Sequence, residues 1–398
     1  MAKANRKGGK TEVTMKILHL FANHKLTGPA ELAILLAHTQ AAMGHEVTFA
    51  CPGSGEKIST VLKAAQKKGL QVVTDFHLTK HFHSVRKNLA DVRALIRYLG
   101  TNPPDIVHTH LGNDHFVGGV AARRSEPHVP VVRSLYEATG PPNTIRNRYL
   151  FSRVTDHLIL PGVKAARRTS DRFALPSSMI SVIPPAVDLK RFAPDRVDGD
   201  LREDLKLEPD DFVLLVASRI QYRRRFDVLF DALNSLIQGD AEERLCCVIV
   251  GRGTHFEKIV VEPAQRLNLA DYIYYAGYRT GDDYIRALKT ADVFIQLAPG
   301  SDETCRAARQ AMAMEKPVIA LRAGMADDLI EHGKTGYIVD KSPAALARMI
   351  HSLYLKPERA KRLGKEARKR ICNFNSPEGN VASIDNVYRV VTGKFRHA

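Results

Sequence analysis

The feature that most constrains this chain is an alternation that runs almost from end to end. Short apolar runs of strand length take turns with stretches whose apolar residues recur three and four apart. "KILHLF" (Lys16–Phe21) reads as a strand, and "AELAILLAHTQAAMG" reads as a helix that stops at Gly44. "HEVTFAC", "DIVHTH", "VPVVRSL" and "HLILP" continue as strands, with "LADVRALIRYLG" among the helices between them. Such alternation specifies an α/β class with parallel sheets. A Pro-rich stretch, "MISVIPPAVDLKRFAP", interrupts the series. The series then restarts with "DFVLLVAS", "LCCVIVG", "IYYAGY", "VFIQLA" and "PVIAL". The expectation is two doubly wound sheets, each binding ligands beyond the carboxyl ends of its strands.

The 398 residues suit two domains, and 44% hydrophobic content is enough for two cores. No stretch approaches the ~20 uncharged apolar residues that span a bilayer. The basic opening "MAKANRKGGKTEVT" lacks the apolar segment of a secretory signal and reads as a disordered tail over residues 1–14. The five cysteines are scattered without zinc spacing, and Cys246-Cys247 falls in an apolar run that reads as a buried strand. A reduced cytoplasm fits this usage. The net charge of +16 attracts nucleic acid, anionic membrane or phosphorylated ligands, and composition does not choose among them. With no aromatic-rich basic repeat, zinc knuckle or tryptophan, nucleic acid is not the expected partner. "KHFHSVRK" (Lys80–Lys87) reads either as a contact for anionic lipid or as a solvated lead-in to a helix.

Four segments carry candidate chemistry. "PGSDETC" precedes a helix, so its backbone N–H groups offer an anion site, with Asp302 or Thr304 as cap; an ordinary cap explains the same residues. "ASRIQYRRRFDVL" places Arg219 at the end of a strand, with Arg223, Arg224 and Arg225 just after. Guanidinium groups there suit a diphosphate; the plain alternative is a solvated basic loop. "KLTGPAELA" puts Gly28 in the first strand-to-helix turn, where a phosphate can approach the backbone, but the GxGxxG of a dinucleotide site is missing. "HTHLGNDH" offers His108, His110, Asp114 and His115, read as polar strand-end residues in preference to a metal site.

In this order the segments resemble the retaining glycosyltransferases of family 4, over nearly all of Met15 to Val391. "VIPPAVDLKRFAP", "ASRIQYRRRFDVLFDAL", "VIVGRGTHFEKI", "YAGYR", "ADVFIQLAPGSDETCRAARQAMAMEKPVIA" and "LIEHGKTGYIV" match the family's second half, and "GPAELA......MGHEV" and "DIVHTH" match its opening. The resemblance implies the GT-B fold, two Rossmann-like doubly wound domains facing across a cleft. It implies an acceptor-side domain over 15–188, with helix 376–398 packing back on it, and a nucleotide-sugar domain over 189–375. It further implies catalysis by Arg219, Arg224 and Asp302, and donor binding by Gly28, Thr304, Cys305, Arg306 and Gln310. No metal or other cofactor is expected. The partners implied are a nucleotide sugar and a glycan or lipid-linked acceptor, with peripheral contact at the inner face of an anionic membrane. The setting implied is cell-surface polysaccharide or lipopolysaccharide synthesis.

The chain departs from the family pattern at several places. The family's paired glutamates are here Asp302 and Gln310, Glu303-Thr304-Cys305 replaces a Gly-Phe-Gly, and Tyr136 stands near the usual histidine, with His110 or Glu137 as substitutes. These departures motivate an alternative, a non-catalytic module of the same fold that binds nucleotide sugar or a partner.

Overall fold

The structure, a computed structural model, describes residues 14–55, 58–81, 84–238, 244–298 and 304–393. The tail up to residue 13, Phe82 and Asp302 lie outside the described residues. Among the described residues, thirteen strands form two sheets. The first holds β1 (Lys16–Leu20), β2 (Glu46–Ala50), β3 (Gln71–Val73), β4 (Ile106–Thr109), β5 (Val131–Ser134), β6 (His157–Leu160) and β7 (Ile180–Val182), in the order β3-β2-β1-β4-β5-β6-β7. The second holds β8 (Phe212–Ala217), β9 (Leu245–Val250), β10 (Ile273–Gly277), β11 (Val293–Gln296), β12 (Val318–Leu321) and β13 (Gly336–Val339), in the order β10-β9-β8-β11-β12-β13. The pairs β1–β2, β1–β4, β2–β3, β4–β5, β5–β6, β8–β9, β9–β10, β8–β11, β11–β12 and β12–β13 are parallel, and helices lie between consecutive strands, so the two sheets make two Rossmann-like domains. In each sheet the order reverses beside the first strand, at β1/β4 and at β8/β11. Those switch points are where this class of sheet leaves room for a ligand.

The strands form because their residues suit burial on both faces. Along β8 and β9, Val213, Leu215, Cys246, Val248 and Val250 join one apolar layer, while Phe212, Leu214, Val216, Cys247 and Ile249 join the other. The alternation of side chains along a strand therefore sends Cys246 and Cys247 to opposite faces. Both are free and buried, and burial pushes each thiol up to about 12. They are core residues, as the apolar run suggested. In the first sheet Leu18 and Leu20 face a layer with Leu95, Leu99, Val117 and Ala121, which leaves His19 on the opposite face.

The chain divides into two compact units. Unit 1 contains the described residues up to Ser134, Thr144–Ile159 and the chain from Val381 on; unit 2 contains Leu135–Asn143 and Leu160–Asn380. The sequence boundary at 188 lies beyond β7, the last strand of the first sheet, whereas the units divide at Ile159 and Leu160. The last helix, Pro377–Thr392, contributes Val381, Ile384 and Tyr388 as buried residues. Among the described residues no helix is long and apolar enough to cross a membrane.

Candidate functional site

In unit 2 the carboxyl ends of β8 and β9 are held together by backbone bonds. Ser218 N donates to Val250 O at 3.0 Å, and Ile220 N donates to Arg252 O at 3.1 Å. This contact requires two glycines. A Cβ on Gly251 would sit 1.9 Å from Ser218 O, at φ +154°, and one on Gly253 would sit 2.0 Å from Ile220 O. The loop so clamped carries Arg219, which is exposed. One tight turn on, Tyr222–Arg224, the three arginines separate in role. Arg223 donates to Gln221 Oε1 at 3.2 Å, and Arg225 pairs with Asp227 at 2.9 Å. Arg224 is half-buried and brackets Ala298: its Nη1 donates to Ala298 O at 3.4 Å, and Ala298 N donates to Arg224 O at 3.2 Å. Arg224 thus touches the last described residue before the segment that includes Asp302.

Beyond that segment the helix Arg306–Ala313 begins. Its N-cap is Cys305, buried and left-handed at φ 53°, with no side-chain cap bond. Thr304 does not cap it. Instead Thr304 is buried, its carbonyl accepts from Arg309 Nη1, and its hydroxyl accepts from Arg309 Nη2 at 3.3 Å. The reason is geometric: a left-handed Cys305 turns the chain away from the helix axis, and Arg309, one turn into the helix, fixes that turn from below. Arg306 is half-buried at the start of the helix. Gln310 is 7% exposed, and its Oε1 accepts from the hydroxyl of Tyr284 at 3.1 Å. A glutamate at 310 would accept the same bond; glutamine adds an amide donor. Also in unit 2, Tyr136 is half-buried and Glu137 exposed, and the Glu137 carboxylate folds back to accept from Tyr136 N at 3.1 Å.

In unit 1 Gly28 opens the helix Gly28–Ala42 as its first residue, half-buried, behind an extended Thr27 that makes no side-chain cap bond. Pro29 has no N–H to offer, so of the first two helix positions only Gly28 carries one. Gly28 lies in unit 1, whereas the other donor-binding candidates lie in unit 2.

"HTHLGNDH" splits into three roles. Asp114 is fully buried and pins backbone: it accepts from Ala22 N at 2.9 Å, His110 N at 3.1 Å and Leu111 N at 2.7 Å. Arg133 stands 3.7 Å away. Burial raises the Asp114 carboxyl to about 6, against the opposing pull of Arg133 and the three N–H groups. His115 bonds Thr155 Oγ1 at 2.7 Å and stacks on Phe151. His108 and His110 join a residue that the segment does not contain, His19. The parallel register sets His19 beside His108, and the His108 and His110 rings stack with centroids 4.6 Å apart. His110 is fully buried, with Nε2 at 2.9 Å from His19 Nδ1, and so stands behind the surface and not on it. The ring nitrogens of His19, His108 and His110 lie within 4.8 Å of one another, near enough for three ligands to one cation. Hydrogen bonds engage ring nitrogens of the cluster: His19 Nε2 meets Gln40 Oε1 at 2.8 Å, His108 Nδ1 meets Tyr388 Oη at 2.5 Å, and His108 Nε2 meets Ser134 Oγ at 2.8 Å. Desolvation by burial lowers His19 to about 4 and holds His108 and His110 well below the usual imidazole value, with neighbouring positive charge adding to the effect on the last two.

Sequence reasoning did not find Gly251, Gly253, Arg309, Tyr284 or His19. The signal for Arg309 was a charge on the apolar side of its helix, beside Ala308 and Met312, both buried. His19 stood among the core residues Ile17, Leu18 and Leu20 of β1.

Residues 198–370 match the family model described as glycosyl transferases group 1, and residues 27–191 match that of glycosyltransferase family 4. The D-inositol 3-phosphate glycosyltransferase of Streptomyces bingchenggensis is 27% identical over 313 residues, which span 73% of this chain and 68% of that protein. Among solved structures, a glycosyltransferase from Rickettsia africae superposes with a TM-score of 0.82 at 19% identity, covering 96% of this chain and 100% of the other. Anabaena HepE in complex with UDP and glucose gives 0.72 at 18% identity, covering 94% and 99%.

Proposed function

Because the chain belongs to the group 1 glycosyltransferases, with the GT-B fold, we propose that it moves a hexose from a UDP-linked donor to a hydroxyl of a glycan or lipid-linked acceptor, with retention at the anomeric carbon. The observation that carries this reading is the end of the second sheet. There an exposed Arg219 stands on a glycine-clamped loop at the switch point, within the span that matches the group 1 model. In the proposed reaction the bond between the anomeric carbon and the donor phosphate breaks. Negative charge grows on the departing UDP, and the acceptor oxygen bonds the same face of the sugar. The acceptor proton passes to the leaving phosphate. Arg219 and Arg224, with the first N–H groups of the Arg306–Ala313 helix, stabilise the growing charge. Of the two, Arg224 is held by its bond to Ala298 O. Gln310, braced by Tyr284, takes the ribose hydroxyls. Asp302 takes the sugar. Gly28 offers its backbone N–H to the donor phosphate, and Tyr136 and Glu137 serve the acceptor and the sugar.

UDP is favoured because Anabaena HepE, a structure of the same fold, holds UDP. The net charge of +16 favours an acceptor at an anionic surface, and assembly of cell-surface polysaccharide or lipopolysaccharide is the proposed setting. A small phosphorylated acceptor is the competing class, since the Streptomyces relative is named for D-inositol 3-phosphate. The test is thermal unfolding with UDP, GDP, ADP and CMP at millimolar concentration, followed by transfer from UDP-glucose to each acceptor class. A shift with UDP that Arg219→Ala abolishes supports the reading. No shift with any nucleotide sinks it.

A further inference from the structure

The polar residues behind the first sheet form one connected path. It runs from His110 to His19, then to Gln40, Tyr388, His108 and Ser134. His110 lies just past the end of β4, and Ser134 is the last residue of β5. Both ends of the path are thus at carboxyl ends of strands, where this sheet class meets its ligand. The middle of the path comes from elsewhere: Gln40 from the first helix and Tyr388 from the last.

The chemistry of each group gives the path a direction. Gln40 Oε1 can only accept, so His19 Nε2 carries the proton. A neutral His19 then accepts at Nδ1, so His110 Nε2 donates to it. Gln40 Nε2 donates to Tyr388 Oη at 3.3 Å. Tyr388 gives its own proton to His108 Nδ1, and His108 Nε2 donates to Ser134 Oγ. Five bonds therefore share one polarity, and each tautomer is set by its neighbour. Rotating the Gln40 amide would reverse all five together; a mixed polarity would put two donors, or two acceptors, face to face in a dry interior.

We infer that Gln40 and Tyr388 are positioning residues: they close a one-way hydrogen-bond chain that fixes the tautomers of three buried histidines and orients the hydroxyl of Ser134 at the edge of the acceptor side. This rests on the reading of unit 1 as the acceptor side. The helix that carries Tyr388 lies outside the strands it serves, and it is further tied to unit 1 by His45 and Asp385 at 3.0 Å. Burial keeps the imidazoles neutral, as a chain of single protons requires. Ser134 is buried at the carboxyl end of β5, the last residue of unit 1 before the chain passes to Leu135–Asn143 of unit 2.

The test is nitrogen-15 NMR of the full-length protein with labelled histidine, at pH 7.5, in the wild type, Tyr388→Phe and Ser134→Ala. The expected result is that His19 and His108 share one tautomer, Nε2–H, and that Tyr388→Phe shifts both His108 and His19. Ser134→Ala should shift His108 foremost. Opposed tautomers for His19 and His108 in the wild type would overturn the chain without recourse to any variant. So would a Tyr388→Phe spectrum in which His19 is unmoved. Kinetics then test positioning: Tyr388→Phe should raise the acceptor KM about fivefold while nucleotide affinity stays within twofold, since one neutral hydrogen bond is lost within unit 1 and the donor candidates other than Gly28 belong to unit 2. A parallel fall in nucleotide affinity and total activity would make Tyr388 merely structural. The NMR readout requires no turnover, so a chain seen in an inactive protein would remove the transferase reading and leave the chain standing.

Discussion

Acidification should expose the buried histidines as a stability switch in unit 1, and two of the contributions can be worked through. His19 titrates at 6.5 in the unfolded chain and at about 4 in the fold. The unfolded state therefore binds the proton first as pH falls. The stability held by a neutral His19 is fully present above 6.5, drains away between 6.5 and about 4, and changes no further below. Between pH 7 and 5 the loss is about 1.8 kcal/mol. Asp114 works the other way. Its carboxyl is raised from 3.8 to about 6, so its contribution is present below 3.8 and lost as pH rises through about 6. Going from pH 7 to 5 it returns about 1.3 kcal/mol. These two nearly cancel. His108, His110 and His115 are all held well below 6.5 by burial and lose stability over the same window as His19. They set the net sign, which is destabilisation by acid. The assay is urea unfolding at pH 7, 6 and 5, read by hydrogen exchange in peptides from β1 and β4, because two units need not unfold in one step. His19→Gln should make the loss between pH 7 and 5 smaller by about 1.8 kcal/mol, and Asp114→Asn should make it larger by about 1.3 kcal/mol. An unchanged pH dependence in His19→Gln would mean that folded His19 protonates as readily as unfolded, and the argument from burial would fail.

Three further outcomes are expected. Arg219→Ala should lower kcat by roughly a hundredfold or more, the scale of a lost oxyanion donor, with less effect on the donor KM; steady-state kinetics with UDP-glucose decide it, and turnover within twofold of the parent removes Arg219 from the site. Gly253→Ala sets a methyl 2.0 Å from Ile220 O, a backbone atom with no side chain to swing aside, and should cost about 2–4 kcal/mol; a thermal melt within a degree of the parent would refute the clamp. Tyr284→Phe leaves Gln310 without its hydroxyl partner and should weaken UDP binding about fivefold by calorimetry, with the melting temperature of the free protein little changed.

The fold was legible because its information is local. Parallel strands buried on both faces require near-continuous apolar runs, and β8 and β9 supply them, Cys246 and Cys247 included. The arginines were legible only as a cluster. Which of them faces solvent depended on Asp227 and Ala298, partners that an arginine run does not announce. Thr304 as a cap was a local inference overturned by a local fact, the left-handed Cys305, with Arg309 claiming the threonine. The histidines were hardest to read. "HTHLGNDH" looked like one constellation, yet its members face different partners, and the residue that completes the cluster comes from β1 by way of sheet register. A pattern along the chain cannot show a neighbour that pairing alone supplies.

The place of Tyr388 after unit 2 in sequence has a consequence for synthesis. β1 and the first helix leave the ribosome before unit 2, but the hydroxyl that joins Gln40 to His108 is made only after Leu160–Asn380. Until it arrives, the polar face behind β1 and β4 is open on the side that the last helix will cover, where Val381, Ile384 and Tyr388 end up buried. Unit 1 is therefore incomplete throughout translation of unit 2, and a nascent chain stopped before residue 388 presents polar and apolar surface that the finished protein hides. The first sheet to be made is thus sealed only after the second has been made, and for that interval its uncovered face is surface open to wrong partners.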